Sequence, residues 1–163
     1  MKNYNNIIKM FKLILILNLL VSCNGFSQKP LLPTFKITQA NGSVYTALQV
    51  EAGKPLLIVY FSPECDHCQV FMKSFFKSAD EFKNTQVLFI TYLPLDRLVK
   101  FGSEYPLNKY KNIVAGTEGM TFVVRNFYEI KEMPFAVVYN KNGTLVGKYE
   151  REIPLDKIIP LIK

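Results

Sequence analysis

Apolar and polar positions change period several times along the chain, and each change marks an element. Residues 34–38 and 43–46 alternate around Asn41-Gly42, a dipeptide suited to the positive φ of a tight turn, which predicts an opening β-hairpin. Residues 56–61 (LLIVYF) are apolar without a break after Gly53-Lys54-Pro55. That is how a strand buried on both faces reads, and it belongs at the centre of a sheet. Phe71, Phe75, Ala79 and Phe82 then recur at helical spacing, with Lys73, Lys77 and Lys83 off the stripe, predicting an amphipathic helix over 66–83.

Residues 86–91 (QVLFIT) read as a second buried strand, Asp96 as the cap of a helix running to about Glu104, and Ile113-Val114 as a very short strand. Met120, Val123, Val124, Phe127 and Tyr128 share one helical face. Residues 135–139 (FAVVY) form a strand that turns at Asn142-Gly143 into 144–149. Leu155, Ile158, Ile159 and Ile162 close the chain as a helix, with Pro154 near its first turn and Pro160 kinking or fraying its end. The order strand, helix, strand implies parallel pairing and an α/β fold.

The 163 residues are 49% apolar, with 13 phenylalanines and 9 tyrosines, enough for one globular core and too apolar for a disordered chain. The net charge of +7 overstates the basic surface, because Lys2, Lys9 and Lys12 crowd the first dozen residues. The rest is scattered, with KYK at 109–111 the one dense spot and no basic stripe interleaved with aromatics. This is ordinary solvated surface and argues against a nucleic-acid partner.

Those N-terminal lysines precede a short apolar run, LILILNLLV at 13–21, which is too short to span a bilayer and reads as an export signal. The string Leu20-Val21-Ser22-Cys23 resembles the lipobox of bacterial lipoproteins, in which the cysteine is lipidated and becomes the new N-terminus. A plain secretory signal cleaved near an incidental cysteine is the alternative. Cysteine arithmetic favours the lipobox: lipidation uses Cys23 and leaves Cys65 and Cys68 as a pair. The expected organisation is a lipoprotein signal peptide over 1–22, a polar, proline-punctuated tether over 23–33, and one domain over 34–163. Such a protein is exported to the bacterial cell envelope, lipid-anchored to a membrane and facing the periplasm.

The stretch PECDHCQ at 63–69 holds two of the three cysteines and the only histidine. A structural zinc takes four ligands and a catalytic zinc three, whereas this turn offers two thiols with His67 between them, so no metal is expected. A cysteine at a helix N-terminus instead meets unpaired N–H groups and the positive end of the helix dipole, which favour the thiolate. Cys65 takes that position, and two intervening residues bring Cys68 around the first turn, close enough for a disulfide yet facing further inward. One sulfur attacks and the other resolves.

On these residues the chain resembles the thioredoxin-like superfamily, and within it the exported, membrane-tethered thiol:disulfide oxidoreductases of the TlpA and ResA type. The resemblance covers about residues 34–163. It rests on the hairpin around Asn41-Gly42, the strand LLIVYF running into SPECDHC, and EMPFAVVYNKNGTLVGKY near the end. It implies a thioredoxin-like fold, a central mixed β-sheet flanked by helices with the N-terminal hairpin added. It also implies a cis-proline at Pro134 packed against the Cys65–Cys68 disulfide, with the backbone of Met133 pairing with substrate. Read without the family, Pro134 is an ordinary strand-initiating proline.

The chain departs from its relatives at several positions. Glu64 stands where thioredoxins usually carry tryptophan, and Val59 where they bury a proton-shuttling aspartate. Phe71 and Lys73 stand where the membrane-tethered reductases often show an acid and a proline, so no buried general base is evident. His67 directly precedes the second cysteine, as in strongly oxidising relatives, and favours the Cys65 thiolate, whereas Glu64 and Asp66 oppose it. The balance suggests a potential between about −270 and −120 mV. Each has a simpler reading: Asp66 as a helix cap, Glu64 as a solvated charge, His67 as a surface residue of the first turn.

The expected function is therefore thiol:disulfide exchange with protein thiols and disulfides of the envelope, using no cofactor beyond the redox-active pair and drawing electrons from a membrane or thioredoxin-type donor. The alternatives are a non-catalytic binding module whose cysteines form a structural link, and a thiol peroxidase. Pro63 and Ser62 ahead of Cys65 do not reproduce the Thr-x-x-Cys setting of the latter.

Overall fold

The computed structural model describes residues 29–163. The expected signal peptide over 1–22, Cys23 and the first part of the tether lie outside the described residues. Leu32 and Pro33, read as tether, already pack onto the domain, and the carbonyl of Leu31 accepts a hydrogen bond from the Tyr139 hydroxyl at 3.1 Å.

The strands are β1 (Lys36–Gln39), β2 (Val44–Thr46), β3 (Leu56–Tyr60), β4 (Gln86–Thr91), β5 (Ile113–Thr117), β6 (Phe135–Tyr139) and β7 (Leu145–Glu150). They form one mixed sheet in the order β2-β1-β5-β4-β3-β6-β7. β3, β4 and β5 are parallel to one another, while β6 runs antiparallel to β3 and β1 antiparallel to β5. The α-helices are α1 (Asp66–Lys77), α2 (Leu95–Glu104), α3 (Val123–Phe127) and α4 (Leu155–Ile158). None of the described helices is long and apolar enough to cross a membrane.

β3 and β4 are buried at every position, as their unbroken apolar runs imply. Because side chains alternate across a strand, each feeds two cores. Leu57, Val59 and Phe61 join α1, α2 and α4 on one face, with Cys68, Phe75, Phe101 and Ile158 among the buried members. Leu56, Ile58 and Tyr60 point to the other face, where Phe35, Ile37, Val124 and Tyr128 cover them.

Several expected boundaries move, each for a local reason. The helix of 66–83 breaks at Ser78 (φ −113°, ψ 12°) and resumes as a 3-10 turn over Ala79–Phe82. Both pieces keep their apolar residues on the core, and the Phe75 and Phe82 rings lie 5.0 Å apart, so periodicity alone did not reveal the break. Asp96 is not the cap of α2: Pro94 holds that place, and Asp96 lies in the first turn, its carboxylate 3.6 Å from Arg97. β5 extends to Thr117, and at Gly116 an added Cβ would lie 2.7 Å from Ile37 side-chain atoms, so only glycine admits β1 there. The expected single face from Met120 to Tyr128 does not form, because Phe122 adopts a left-handed φ of 50°. Val124 and Tyr128 are buried, whereas Met120 and Phe127 are exposed. At the C-terminus α4 tightens into a 3-10 turn at the segment containing Pro160.

Candidate active site

The site is built where β3 ends. Phe61 still bonds to β4, its N–H donating to the Ile90 carbonyl at 2.9 Å, and then the chain turns through Ser62 and Pro63. The Cys65 N–H donates to the Ser62 carbonyl at 3.1 Å and the Glu64 N–H to the Ser62 hydroxyl at 3.3 Å, so the loop is fixed before the helix begins. Extended backbone at Cys65 (φ −92°, ψ 123°) makes it the N-cap of α1. Its sulfur does what a serine or aspartate oxygen usually does, accepting the Cys68 N–H at 3.4 Å. The Cys65 sulfur is thereby aimed at the unpaired amides and positive pole of the helix, groups that stabilise negative charge.

The cysteines are inequivalent. Both are free thiols; Cys65 is half-buried and Cys68 is 1% exposed. Burial pushes the Cys68 thiol well up from its ordinary range, and its hydrogen bond with Cys65 adds to this. Backbone hydrogen bonds from Ser62 and from Cys68 itself pull more weakly the other way. Val59 and Phe61, both fully buried, belong to the cluster that holds Cys68, and no acid is buried there among the described residues.

The far wall comes from the start of β6, antiparallel to β3 with Phe135 opposite Tyr60. The Met133–Pro134 peptide is cis and Pro134 is buried. The Cys65 thiol donates to the Met133 carbonyl at 3.7 Å, so residues 68 positions apart meet at the mouth of the site. His67 and Asp66 are exposed on the first turn, and among the described residues no hydrogen bond ties the imidazole to either cysteine. No cluster of three or more metal-ligating side chains occurs among the described residues.

Other groups at this end of the sheet had no sequence signal. The Arg97 guanidinium on α2 pairs with the Glu64 carboxylate at 3.0 Å, holding the active-site loop to the next helix. On the opposite face, the buried Glu118 carboxylate accepts the Tyr60 hydroxyl at 2.7 Å and the Val124 N–H at 2.8 Å. Bonding to that carboxylate, after burial, drives the Tyr60 hydroxyl far above its usual range. Tyr60 and Glu118 are 58 residues apart, and only the fold brings them together.

A mixed sheet in this order, with a Cys-x-x-Cys at the helix behind its central strand and a cis-proline facing it, defines a dithiol protein of thioredoxin architecture. The family model of the thioredoxin-like domain matches residues 44–163, and the chain belongs to that family. Among curated proteins, the methylamine utilization protein MauD of Methylophilus methylotrophus is 22% identical over 117 residues, 71% of this chain and 52% of that protein. The chain thus spans about half the length of the curated relative it matches. Among solved structures, DsbF of MTB superposes with a TM-score of 0.69 at 14% identity, covering 83% of this chain and 97% of that one. A secreted Mycobacterium tuberculosis disulfide oxidoreductase homologous to E. coli DsbE gives 0.64 at 20%, covering 79% and 94%. The exposed lipoprotein thioredoxin Etrx1 of Streptococcus pneumoniae gives 0.62 at 17%, covering 79% and 97%. These likenesses establish the fold.

Proposed function

We propose that the chain is a thiol:disulfide oxidoreductase of the bacterial cell envelope that exchanges disulfides with exported proteins through Cys65 and Cys68. The observation that carries this is the placement of the Cys65 sulfur: it caps α1, faces the Met133 carbonyl, and lies beside a buried second thiol. Cys65 attacks one sulfur of a client disulfide, expelling the other, and Cys68 then displaces the client from Cys65. Oxidation of a client runs the same steps in reverse. Met133 offers backbone to an extended client segment, Pro134 closes the wall behind the sulfurs, and His67, between the two cysteines in sequence, is the tuning residue.

Export through residues 1–22 and lipidation at Cys23 complete the reading, placing the domain on a short tether at a membrane, with electrons supplied by a membrane or thioredoxin-type donor. The names of the relatives agree with such a setting: one is a secreted oxidoreductase and one an exposed lipoprotein. The test is trapping. Cys68→Ser should accumulate mixed disulfides through Cys65 in envelope extracts, and Cys65→Ser none. Absence of adducts in Cys68→Ser, together with a couple below about −300 mV, would identify a structural disulfide instead.

A further inference from the structure

Cys68 sits among hydrocarbon. β3 contributes Leu57 and Val59 to its cluster, the residue after β3 contributes Phe61, and α1 contributes Phe71, Met72 and Phe75, none more than 6% exposed. The polar groups acting on its sulfur are Cys65 and the backbone of Ser62 and of Cys68. The other titratable groups around the site are poorly placed to take its proton. Asp66 and His67 are exposed, Glu64 is engaged by Arg97, and Glu118 is bonded to Tyr60 in the core on the other face. Tyr105, Tyr110 and Tyr149 packed at the rim of the cluster add phenol hydroxyls and no carboxylate or imidazole.

While Cys65 is free, its sulfur lies beside the Cys68 thiol, close enough to accept the Cys68 N–H at 3.4 Å and to act on the thiol. Once Cys65 is bonded to a client, that acceptor has lost its charge. Building on the exchange reading above, we propose that the client supplies the base. The thiolate it expels in the first step takes the Cys68 proton, so the site is selective for disulfides whose two sulfurs remain on one segment. On disulfides whose expelled half diffuses away it stalls as the mixed disulfide.

The steps balance. Cys65 S⁻ forms a bond to one client sulfur, and the client S–S bond breaks with its electron pair leaving on the other sulfur. That thiolate takes the proton from Cys68 and becomes a thiol. Cys68 S⁻ then bonds to Cys65, breaking the mixed disulfide and releasing the first client sulfur as a thiolate. The protein is oxidised by one disulfide and the client reduced by one.

Two probes separate the cases on the reduced full chain: a short peptide closed by one internal disulfide, and oxidised glutathione. Acid-quenched samples followed by mass spectrometry report how fast each leaves Cys65. Glutathione should leave at least about tenfold more slowly at neutral pH, its rate climbing about tenfold per pH unit while that of the peptide changes less. Val59→Asp, which places a carboxylate among the residues around Cys68, should speed glutathione release and leave the peptide unchanged; Val59→Asn should do neither. Should the aspartate variant fail to fold, the two probes on the unaltered chain decide alone. Equal release rates with equal pH slopes would show that solvent takes the proton and overturn the inference. If neither probe ever attaches to Cys65, the exchange reading itself fails and takes this one with it.

Discussion

The two faces of the sheet solve different problems with adjacent residues of one strand. Phe61 points into the core that holds Cys68, a cluster built around Phe75, whose ring meets those of Phe71, Phe76, Phe82 and Phe89. Tyr60, its neighbour on β3, points the opposite way and donates to Glu118, the one buried charged side chain among the described residues. Further along that face the Tyr128 and Tyr139 hydroxyls pair at 2.8 Å, and Tyr139 also holds Leu31. The buried side-chain hydroxyl bonds, Tyr60 to Glu118 and Tyr128 to Tyr139, thus lie on the face away from Cys68. The cysteine side is left without a buried charge, so burial is the main influence on the Cys68 thiol, with Cys65 and nearby backbone groups acting next.

The comparison breaks hardest at Phe75. Phe75→Ala removes the ring common to four aromatic contacts and leaves a cavity beside Cys68's cluster, with an expected loss of about 3–5 kcal/mol in urea unfolding. The signature beyond stability is access: under native conditions Cys68, 1% exposed in the parent, should become alkylated in the variant. If the variant loses stability while Cys68 stays protected, the apolar wall is not what shields the thiol.

Tyr60→Phe tests the other face. Glu118 keeps the Val124 N–H but loses its hydroxyl donor in a buried setting, an expected cost of about 1–3 kcal/mol. Because the bond lies across the sheet from the cysteines, the alkylation rate of Cys65 in the folded protein should not change. A large change in that rate would show that the two faces are coupled and that loop positioning reaches the sulfur.

The two faces also differ in how far they could be read beforehand. The strands 56–61 and 86–91 announced themselves because a strand buried on both sides has no polar interruption, and the Cys-x-x-Cys because its members are neighbours in sequence. Tyr60 was visible only as one more apolar-run residue, and Glu118 carried no signal; their bond spans 58 positions and no local pattern encodes it. Pro134 and Met133 were drawn to the site through family resemblance and not through spacing, and the contact of the Cys65 thiol with the Met133 carbonyl, across 68 positions, came only with the fold. Helix boundaries failed where a single backbone angle decides them: at Ser78 the pieces on both sides keep buried residues, and at Phe122 apolar residues continue past a left-handed φ that no local pattern marks. The Glu64–Arg97 contact had no signal because an exposed glutamate and an exposed arginine are common anywhere.

That contact gives the smallest effect. Both partners are about half exposed, so Arg97→Ala should cost only about 0.2–1 kcal/mol of stability, fading as salt is added. Its chemical effect should be easier to measure. With Arg97 gone, the Glu64 carboxylate next to Cys65 is uncompensated and repels the negative charge that Cys65 carries when it attacks. Alkylation of Cys65 should slow in Arg97→Ala at low ionic strength and recover toward the parent rate with salt, and Glu64→Gln on the same background should restore it. Loss of stability without any change in that rate would make the pair a surface fastening between the active-site loop and α2. A rate change that salt cannot reverse would mean instead that Arg97 positions the loop, and through it the cap on which the Cys65 sulfur depends.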